Sequence, residues 1–332
     1  MGAGSIGCYV GGRLLASGAA DVTFIGRERT RAMLAAHPMR LSAIDQPSAE
    51  VPIERVRVET DPAALADCDA VLVCVKSAQT EEVGRALAEI VGPEAVVASF
   101  QNGVRNAQLL RESLGDRVMP SIVGFNVVSR PEGSFHQGTT GPLSLETPTT
   151  PAGEALVAAL EQTGLHVETH DDLAPHQFTK LMVNLNNAVS ALSGAPTRDL
   201  LLVPAYRRVV AAVVQEGLEV VRGAGIRVAP LRGIPIGVMP TVLRLPTPIV
   251  RLVTRRQMRV DPEARSSMWE DLTRRRPTEI DFLNGEIVRI ADAHGLPAPI
   301  NRRVVELVRE AEAAGEGPPG LDGEALWAAL HA

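Results

Sequence analysis

Through the first half of the chain, short apolar runs rich in β-branched residues alternate with segments whose apolar residues recur every three to four positions. The runs at 21–26 (DVTFIG), 70–75 (AVLVCV), 95–100 (AVVASF) and 118–123 are predicted strands, and 51–59 alternates like an exposed strand. Helical periods fill 8–17, 80–90 and 106–114. Alternating strand and helix is the sequence form of βαβ units on a parallel sheet, so an α/β, doubly wound Rossmann-type domain is expected over 1–170. After a last strand at 166–169 only helical periods remain, at 179–192, 206–223, 266–273, 278–294 and 301–314, which predicts an all-α domain over 171–332. In 278–294 the stripe is Ile280, Leu283, Ile287 and Ile290, with Thr278 and Asp281 spaced as a capping pair and Gly295 as the stop. The apolar stretch 234–253 reads as an irregular surface segment, too broken by Pro235, Pro240, Pro246, Pro248 and Arg244 to span a membrane, and the Pro-rich 228–262 region around it looks loosely organised.

With 332 residues and 45% hydrophobic content, the chain can bury two medium-sized cores, in keeping with two domains. A formal net charge of −6 argues against a nucleic-acid or anionic-membrane surface and favours small-molecule chemistry. Cys8, Cys68 and Cys74 are too few and too unevenly spaced for a disulfide framework, and no signal peptide is read at the start, so a cytoplasmic location is expected. None of the seven histidines shows paired metal-ligand spacing, and no metal is expected.

The candidate chemistry begins with Gly2-Ala3-Gly4-Ser5-Ile6-Gly7, a G-x-G-x-x-G that would hold a pyrophosphate against a helix N-terminus. Such a fingerprint normally follows a buried strand, whereas Met1 abuts Gly2; the domain is therefore expected to lack its first, central strand in this sequence. Where an acid would bind the ribose of NAD, the chain has Gly26-Arg27-Glu28-Arg29. Arg27 there suits the 2'-phosphate of NADP, with Arg29 a weaker candidate; two solvated loop arginines are the alternative. Lys76 follows the strand at 70–75, and Gln101-Asn102-Gly103 follows the one at 95–100, at the sheet edge where open α/β folds bind ligands. An Asn-Gly turn without a binding role would look the same.

In the second half, Lys180, Asn184 and Asn187 fall at i, i+4 and i+7 of one expected helix face, while Leu181, Leu185, Ala188 and Leu192 share another. Two asparagines beside one amine are unusual on a solvated face, because asparagine is a mediocre helix former. The last constellation is Ser266-Ser267-Met268 with Thr278-Glu279-Ile280-Asp281-Phe282-Leu283-Asn284-Gly285, in which Glu279 by itself could be only a first-turn acid.

These stretches, with Val73-Cys74-Val75-Lys76 and Lys180-Leu181-Met182-Val183-Asn184, occur in the order seen in the ketopantoate reductase (2-dehydropantoate 2-reductase) family, which the chain resembles over nearly its whole length. The resemblance implies NADPH-dependent reduction of 2-dehydropantoate to pantoate on the route to pantothenate and coenzyme A. It implies Lys180 as general acid, Asn102 and Asn184 as substrate-orienting amides, Ser267 at the substrate carboxylate and Glu279 at its terminal hydroxyl. The cofactor would be held by Gly2, Gly4, Ser5, Ile6, Gly7, Arg27, Lys76 and Asn102. The implied partners are a small 2-oxo acid and, at most, a second copy in a homodimer, with no nucleic acid and no membrane. Two departures stand out: Ala188 occupies the place of a further asparagine two turns beyond Lys180, and 228–262 is longer than in compact members. Three other readings remain open: a reductase of another 2-oxo acid, a β-hydroxyacid dehydrogenase, whose substrate would lack the hydroxyl partner of Glu279, and a non-catalytic nucleotide-binding protein.

Overall fold

The computed structural model describes residues 1–44, 46–254 and 265–331, and contacts between residues divide the chain into two units, Met1–Leu173 and Ala174–Ala332. In the first unit, helix α1 (Ser5–Ser17) leads to strand β1 (Thr23–Ile25), then α2 (Glu28–Ala36), β2 (Met39–Ala43), β3 (Ala49–Val51), β4 (Arg57–Glu59) and β5 (Ala70–Val73). Next come α3 (Thr80–Ile90), β6 (Val96–Ser99), α4 (Asn106–Leu114) and β7 (Val118–Val123). Three further strands, β8 (Val127–Arg130), β9 (Ser134–Gln137) and β10 (Leu143–Glu146), precede α5 (Pro151–Glu161) and β11 (Val167–His170).

The main sheet runs β11-β10-β7-β6-β5, parallel except where β10 meets β7. Strand periodicity builds the two-faced core: Val96 and Ala98 point into a cluster with Tyr9, Leu14 and Leu160, while the intervening Val97 points into one with Val83, Leu87 and Leu110. The two clusters give helices on both faces, the doubly wound arrangement expected. β1 pairs with β4 in a separate parallel ribbon, and among the described residues no ladder joins β1 to β5. Met1 to Ala3 occupy the space between their C-terminal ends. The Met1 ammonium donates to Leu72 O at 2.8 Å, Cys74 N donates to Met1 O at 2.8 Å, and Gly2 N and Ala3 N both donate to Ile25 O. Burial pushes that ammonium below its ordinary value.

Sequence pattern misses a second sheet, β3-β2-β9-β8, and misreads 51–59 as one strand. Pro52 ends β3, a 3₁₀ turn at Ile53–Arg55 follows, and the chain re-enters the other ribbon as β4. Proline cannot donate to a ladder, which is why pairing stops there.

The second unit contains α6 (Ala174–Asn184), α7 (Asn186–Ser193), α8 (Thr197–Leu202), α9 (Pro204–Gly223), α10 (Met239–Arg244), α11 (Thr247–Val253), α12 (Ser267–Thr273), α13 (Asn284–His294), α14 (Pro299–Ala314) and α15 (Gly323–Ala329). α9 is apolar nearly all round, with Val209, Val210, Val213, Val214, Val220 and Val221 buried, so it forms the hub on which α6, α7, α8, α10, α13, α14 and α15 pack. Four expectations are corrected. The helix expected at 179–192 is interrupted at Leu185, although Leu181, Leu185, Ala188 and Leu192 are all buried as the period requires. The helix expected at 278–294 begins only at Asn284: a 3₁₀ turn at Ile280–Phe282 precedes it and Leu283 (φ −113°, ψ −96°) breaks it. Thr278 and Asp281 form no capping pair, because Thr278 N donates to Glu312 and Asp281 accepts from Arg309 at 2.7 Å. Finally, 236–253 is mostly helical and not irregular, since Pro240 and Pro248 sit in the first turns of α10 and α11, where a missing N–H costs nothing, while 228–235 is irregular as expected; residues 255–262 of that stretch lie outside the described residues.

Candidate active site

In the first unit the glycine fingerprint is a folded cradle. Gly2 has φ +95°, and a Cβ there would lie 2.8 Å from the Cys74 and Val75 backbone, so only glycine lets the loop cross the end of β5. A Cβ on Gly7 would meet Gly2 O at 2.4 Å, which fixes how closely α1 approaches that loop. Gly4 differs: a Cβ there would touch nothing within 4 Å, and no side chain caps the helix that starts after it. The first helical bond runs from Cys8 N to Gly4 O at 2.9 Å, so the N–H groups of Ser5, Ile6 and Gly7 precede the ladder. Open space in front of uncapped amides at the positive end of a helix dipole fits a pyrophosphate.

Arg27 is brought to this cradle because Ile25 O receives two amides of the loop and Gly26 packs against Ala3. It is exposed as the N-cap of α2, and Glu28 pairs with Arg31 at 3.0 Å instead of with Arg27. Lys76, also exposed, follows β5, and Asn102 follows β6. A buried amide network, which sequence reasoning missed, holds these two loops together. Gln101 Nε2 donates to Val75 O at 3.2 Å and to Thr80 Oγ1 at 2.8 Å, Thr80 Oγ1 donates to Asn106 Oδ1 at 2.8 Å, and Asn106 Nδ2 donates to Ser77 Oγ at 3.0 Å. Ser77 Oγ and Asn106 Nδ2 both donate to the Asn102 carbonyl. Gln101 is thus a clamp between strand ends, and Asn102 presents its side chain from a carbonyl fixed twice.

In the second unit Lys180 and Asn184 lie one turn apart on α6, with Asn184 buried at its end. Burial pushes the Lys180 ammonium below its ordinary value. The pair Ser266-Ser267 divides its work. Ser266 is buried, donates to Asn187 O at 3.0 Å and accepts from Trp269 N at 3.1 Å, so it docks α12 on α7 as an N-cap. Ser267, next in line, is exposed at the first turn of α12. Asn187 contributes its backbone to this joint.

Glu279 is buried in the turn before α13. What holds that turn is a second network that sequence reasoning missed. Asn284, at the start of α13, donates through Nδ2 to Asn301 Oδ1 at 3.0 Å and, at 3.5 Å, to the carbonyl of Leu185, one residue beyond Asn184. Asn301 is fixed by Glu216, whose carboxylate accepts from Ile300 N, Asn301 N and Asn301 Nδ2 at 2.7 to 2.9 Å. The α6–α7 break and the Glu279 turn are therefore tied to the same buried carboxylate. The only sequence sign of it is an acid, Glu216, amid the apolar run of α9.

The chain matches two family models, "Ketopantoate reductase PanE/ApbA" over residues 1–149 and "Ketopantoate reductase PanE/ApbA C terminal" over residues 172–312. It is 30% identical to a 2-dehydropantoate 2-reductase of Halobacterium salinarum, covering 95% of this chain and 98% of that one. The crystal structure of a PanE/ApbA family ketopantoate reductase from Ralstonia eutropha JMP134 superposes with a TM-score of 0.80 at 32% identity, covering 95% of this chain and 98% of the other. A D-mandelate dehydrogenase bound to NADH and anilino(oxo)acetate shares the fold, with a TM-score of 0.74 at 19% identity over 95% of this chain and 97% of that one. The two family models, together covering most of the chain, and the relative matched over nearly its whole length show that this chain belongs to the ketopantoate reductase family.

Proposed function

We propose that the chain is an NADPH-dependent 2-dehydropantoate 2-reductase, and the observation that carries this reading is Lys180. An amine with a lowered pKa, one turn from a buried asparagine and without a metal-ligand role, is suited to give a proton to an oxygen that is becoming an alkoxide. The bound dinucleotide supplies the hydride. Lys180 Nζ supplies the proton to the carbonyl oxygen, Asn184 donates to the substrate, and Ser267 donates to its carboxylate. Glu279 accepts from the terminal hydroxyl. The Gly2–Gly7 cradle takes the pyrophosphate through the α1 amides, Lys76 adds a cation at the same edge, and Arg27 takes the 2'-phosphate.

Measuring NADPH and NADH oxidation with a panel of 2-oxo acids tests the reading, which falls if no 2-oxo acid is reduced. Another branched 2-oxo acid in place of 2-dehydropantoate is the second reading, favoured by Ala188, which stands where the resemblance leads one to expect an amide.

Two outcomes follow from the assigned contacts. Arg27→Asp should erase or reverse the preference for NADPH over NADH, because a charge-assisted phosphate contact is worth about 1.5 to 3 kcal/mol, or roughly tenfold to over a hundredfold. Equal affinities for both cofactors in the unaltered protein would refute the assignment. Glu279→Ala should raise KM by about tenfold or more for a 2-oxo acid carrying a distal hydroxyl, and much less for its deoxy analogue, since only the former has a hydrogen bond to lose. The same rise for both substrates would show that Glu279 acts through the fold.

A further inference from the structure

We infer that Thr80 and Asn106 are positioning residues for the nicotinamide half of the cofactor, an inference that rests on the NADPH reading above. The order of the strand ends in the first unit gives each half of a dinucleotide its place. Arg27 follows β1, and the 2–7 loop lies between β1 and β5: Gly2 N and Ala3 N donate to Ile25 O, while a Cβ on Gly2 would lie 2.8 Å from the Cys74 and Val75 backbone. β6 pairs in parallel with β5 as the next strand along. With the 2'-phosphate at Arg27 and the pyrophosphate at the 2–7 loop, the next ends along this edge, those of β5 and β6, are left for the nicotinamide ribose and ring. Lys76 and Asn102, already assigned to the cofactor, follow those two strands.

Beneath these two ends Ser77, Thr80, Gln101 and Asn106 are buried, and their hydrogen bonds run in one direction. Val75 O can only accept, so the end of Gln101 facing it at 3.2 Å is Nε2. The same Nε2 donates to Thr80 Oγ1 at 2.8 Å, which leaves the Thr80 proton for Asn106 Oδ1, also at 2.8 Å. Asn106 Nδ2 is thereby turned to Asn102 O and, at 3.0 Å, to Ser77 Oγ, while Ser99 Oγ donates to Gln101 Oε1 at 3.1 Å. Backbone carbonyls anchor both ends of the relay, so neither amide can turn over. Position 80 therefore requires a group that accepts and donates at once. Thr80 opens α3 and Asn106 opens α4, so the relay joins two helix starts and the loops before them into one piece. Stability alone gives no reason for it, because apolar side chains of the same shape would hold such a site about as well. A fully satisfied buried network instead specifies a single arrangement, here that of 75–77 relative to Asn102. Loops fixed in advance spare the bound nicotinamide half the cost of ordering them.

The test is calorimetric titration of the full chain with NADPH and, separately, with adenosine 2',5'-bisphosphate, which carries only the half held by Arg27 and the 2–7 loop. Thr80→Val keeps the shape and removes the hydroxyl. Well below its melting temperature it is expected to raise Kd for NADPH about tenfold and to change Kd for the bisphosphate by less than about twofold. Thr80→Ser, which still accepts and donates, should bring Kd for NADPH back to within about twofold of the parent. Asn106→Ala removes both ends of the second amide, should show the same split between the two ligands, and decides the matter if Thr80→Val does not fold. A role confined to folding would lower the melting temperature without moving the ratio of the two Kd values. An unchanged ratio in the folded variants therefore overturns the inference, as does a Thr80→Ser protein as weak for NADPH as Thr80→Val. A parent that binds neither ligand overturns the NADPH reading and this inference with it, whereas a parent that binds both, with variants of unchanged ratio, overturns the inference alone.

Discussion

Lys180→Ala is expected to lower kcat for 2-oxo acid reduction by about 10² to 10⁴ while leaving NADPH affinity within severalfold of the parent. The barrier to hydride delivery contains the cost of building negative charge on the carbonyl oxygen, and a positioned ammonium both offsets that charge and quenches it. Alanine leaves water as the only proton source. The residues proposed to hold the cofactor, Gly2 to Gly7, Arg27, Lys76 and Asn102, all belong to the first unit, whereas Lys180 belongs to the second. Stopped-flow mixing with bound NADPH separates the chemical step from binding, and a loss of less than severalfold would place the acid elsewhere.

The lowered pKa of Lys180 gives that result a pH signature. The protonated amine is the donor, so kcat/KM for reduction should be level at low pH and fall as pH rises through a value below 10.5, a limb that Lys180→Ala removes. Stability runs the other way. Because burial lowers the folded-state pKa beneath the unfolded one, the unfolded chain binds this proton more readily. Stability from this group is therefore present above 10.5 and lost as pH falls through the folded pKa. Lys180→Met, of similar length and uncharged, should thus melt no lower than the parent at neutral pH although it is inactive. A markedly lower melting temperature would mean that the ammonium is held by the fold and not merely tolerated by it.

How much of this was readable in the sequence depended on how local the determining physics is. β5, β6 and β7 and the helices facing them were legible because each buries one or two faces at a fixed period, and Val96, Val97 and Ala98 show that alternation within three residues. The glycine cradle was legible because Gly2 and Gly7 are required by sterics acting over a few residues. The β3-β2-β9-β8 sheet was not, since its strands are three to five residues long and β2 pairs in parallel with β9, Arg40 facing Ser134. Nothing local to 39–43 specifies a partner so far along the chain. The same distance hid the Gln101, Thr80, Asn106 and Ser77 clamp, whose members look like ordinary turn and helix-start residues. Ser266 was read together with Ser267, because only the docking of α12 on α7 separates a buried cap from an exposed hydroxyl.

Glu216 is the residue whose loss should damage the second unit most. Its carboxylate caps the start of α14 by accepting from Ile300 N at 2.9 Å and Asn301 N at 2.7 Å, and it fixes the Asn301 side chain that in turn holds Asn284. In Glu216→Ala those donors lose their acceptor in a site where Asn301 and Asn284 are fully buried, which leaves no room for bulk water to replace it. At about 1 to 3 kcal/mol for each buried unpaired donor, the two backbone amides alone cost about 2 to 6 kcal/mol, a large part of the roughly 5 to 15 kcal/mol that holds a domain folded. The melting temperature should drop by roughly 4 to 24 °C. Glu216→Gln keeps one acceptor oxygen and should lose about half as much. Because Asn284 also bonds the Leu185 carbonyl, the network joins the turn bearing Glu279 to the break after Asn184, and loosening it should disturb the substrate before the cofactor. At a temperature well below its melting point, Glu216→Gln is therefore expected to raise KM for the 2-oxo acid severalfold with NADPH affinity unchanged. An unchanged KM beside a lowered melting temperature would confine Glu216 to the scaffold and leave the placement of Glu279 to the 3₁₀ turn alone.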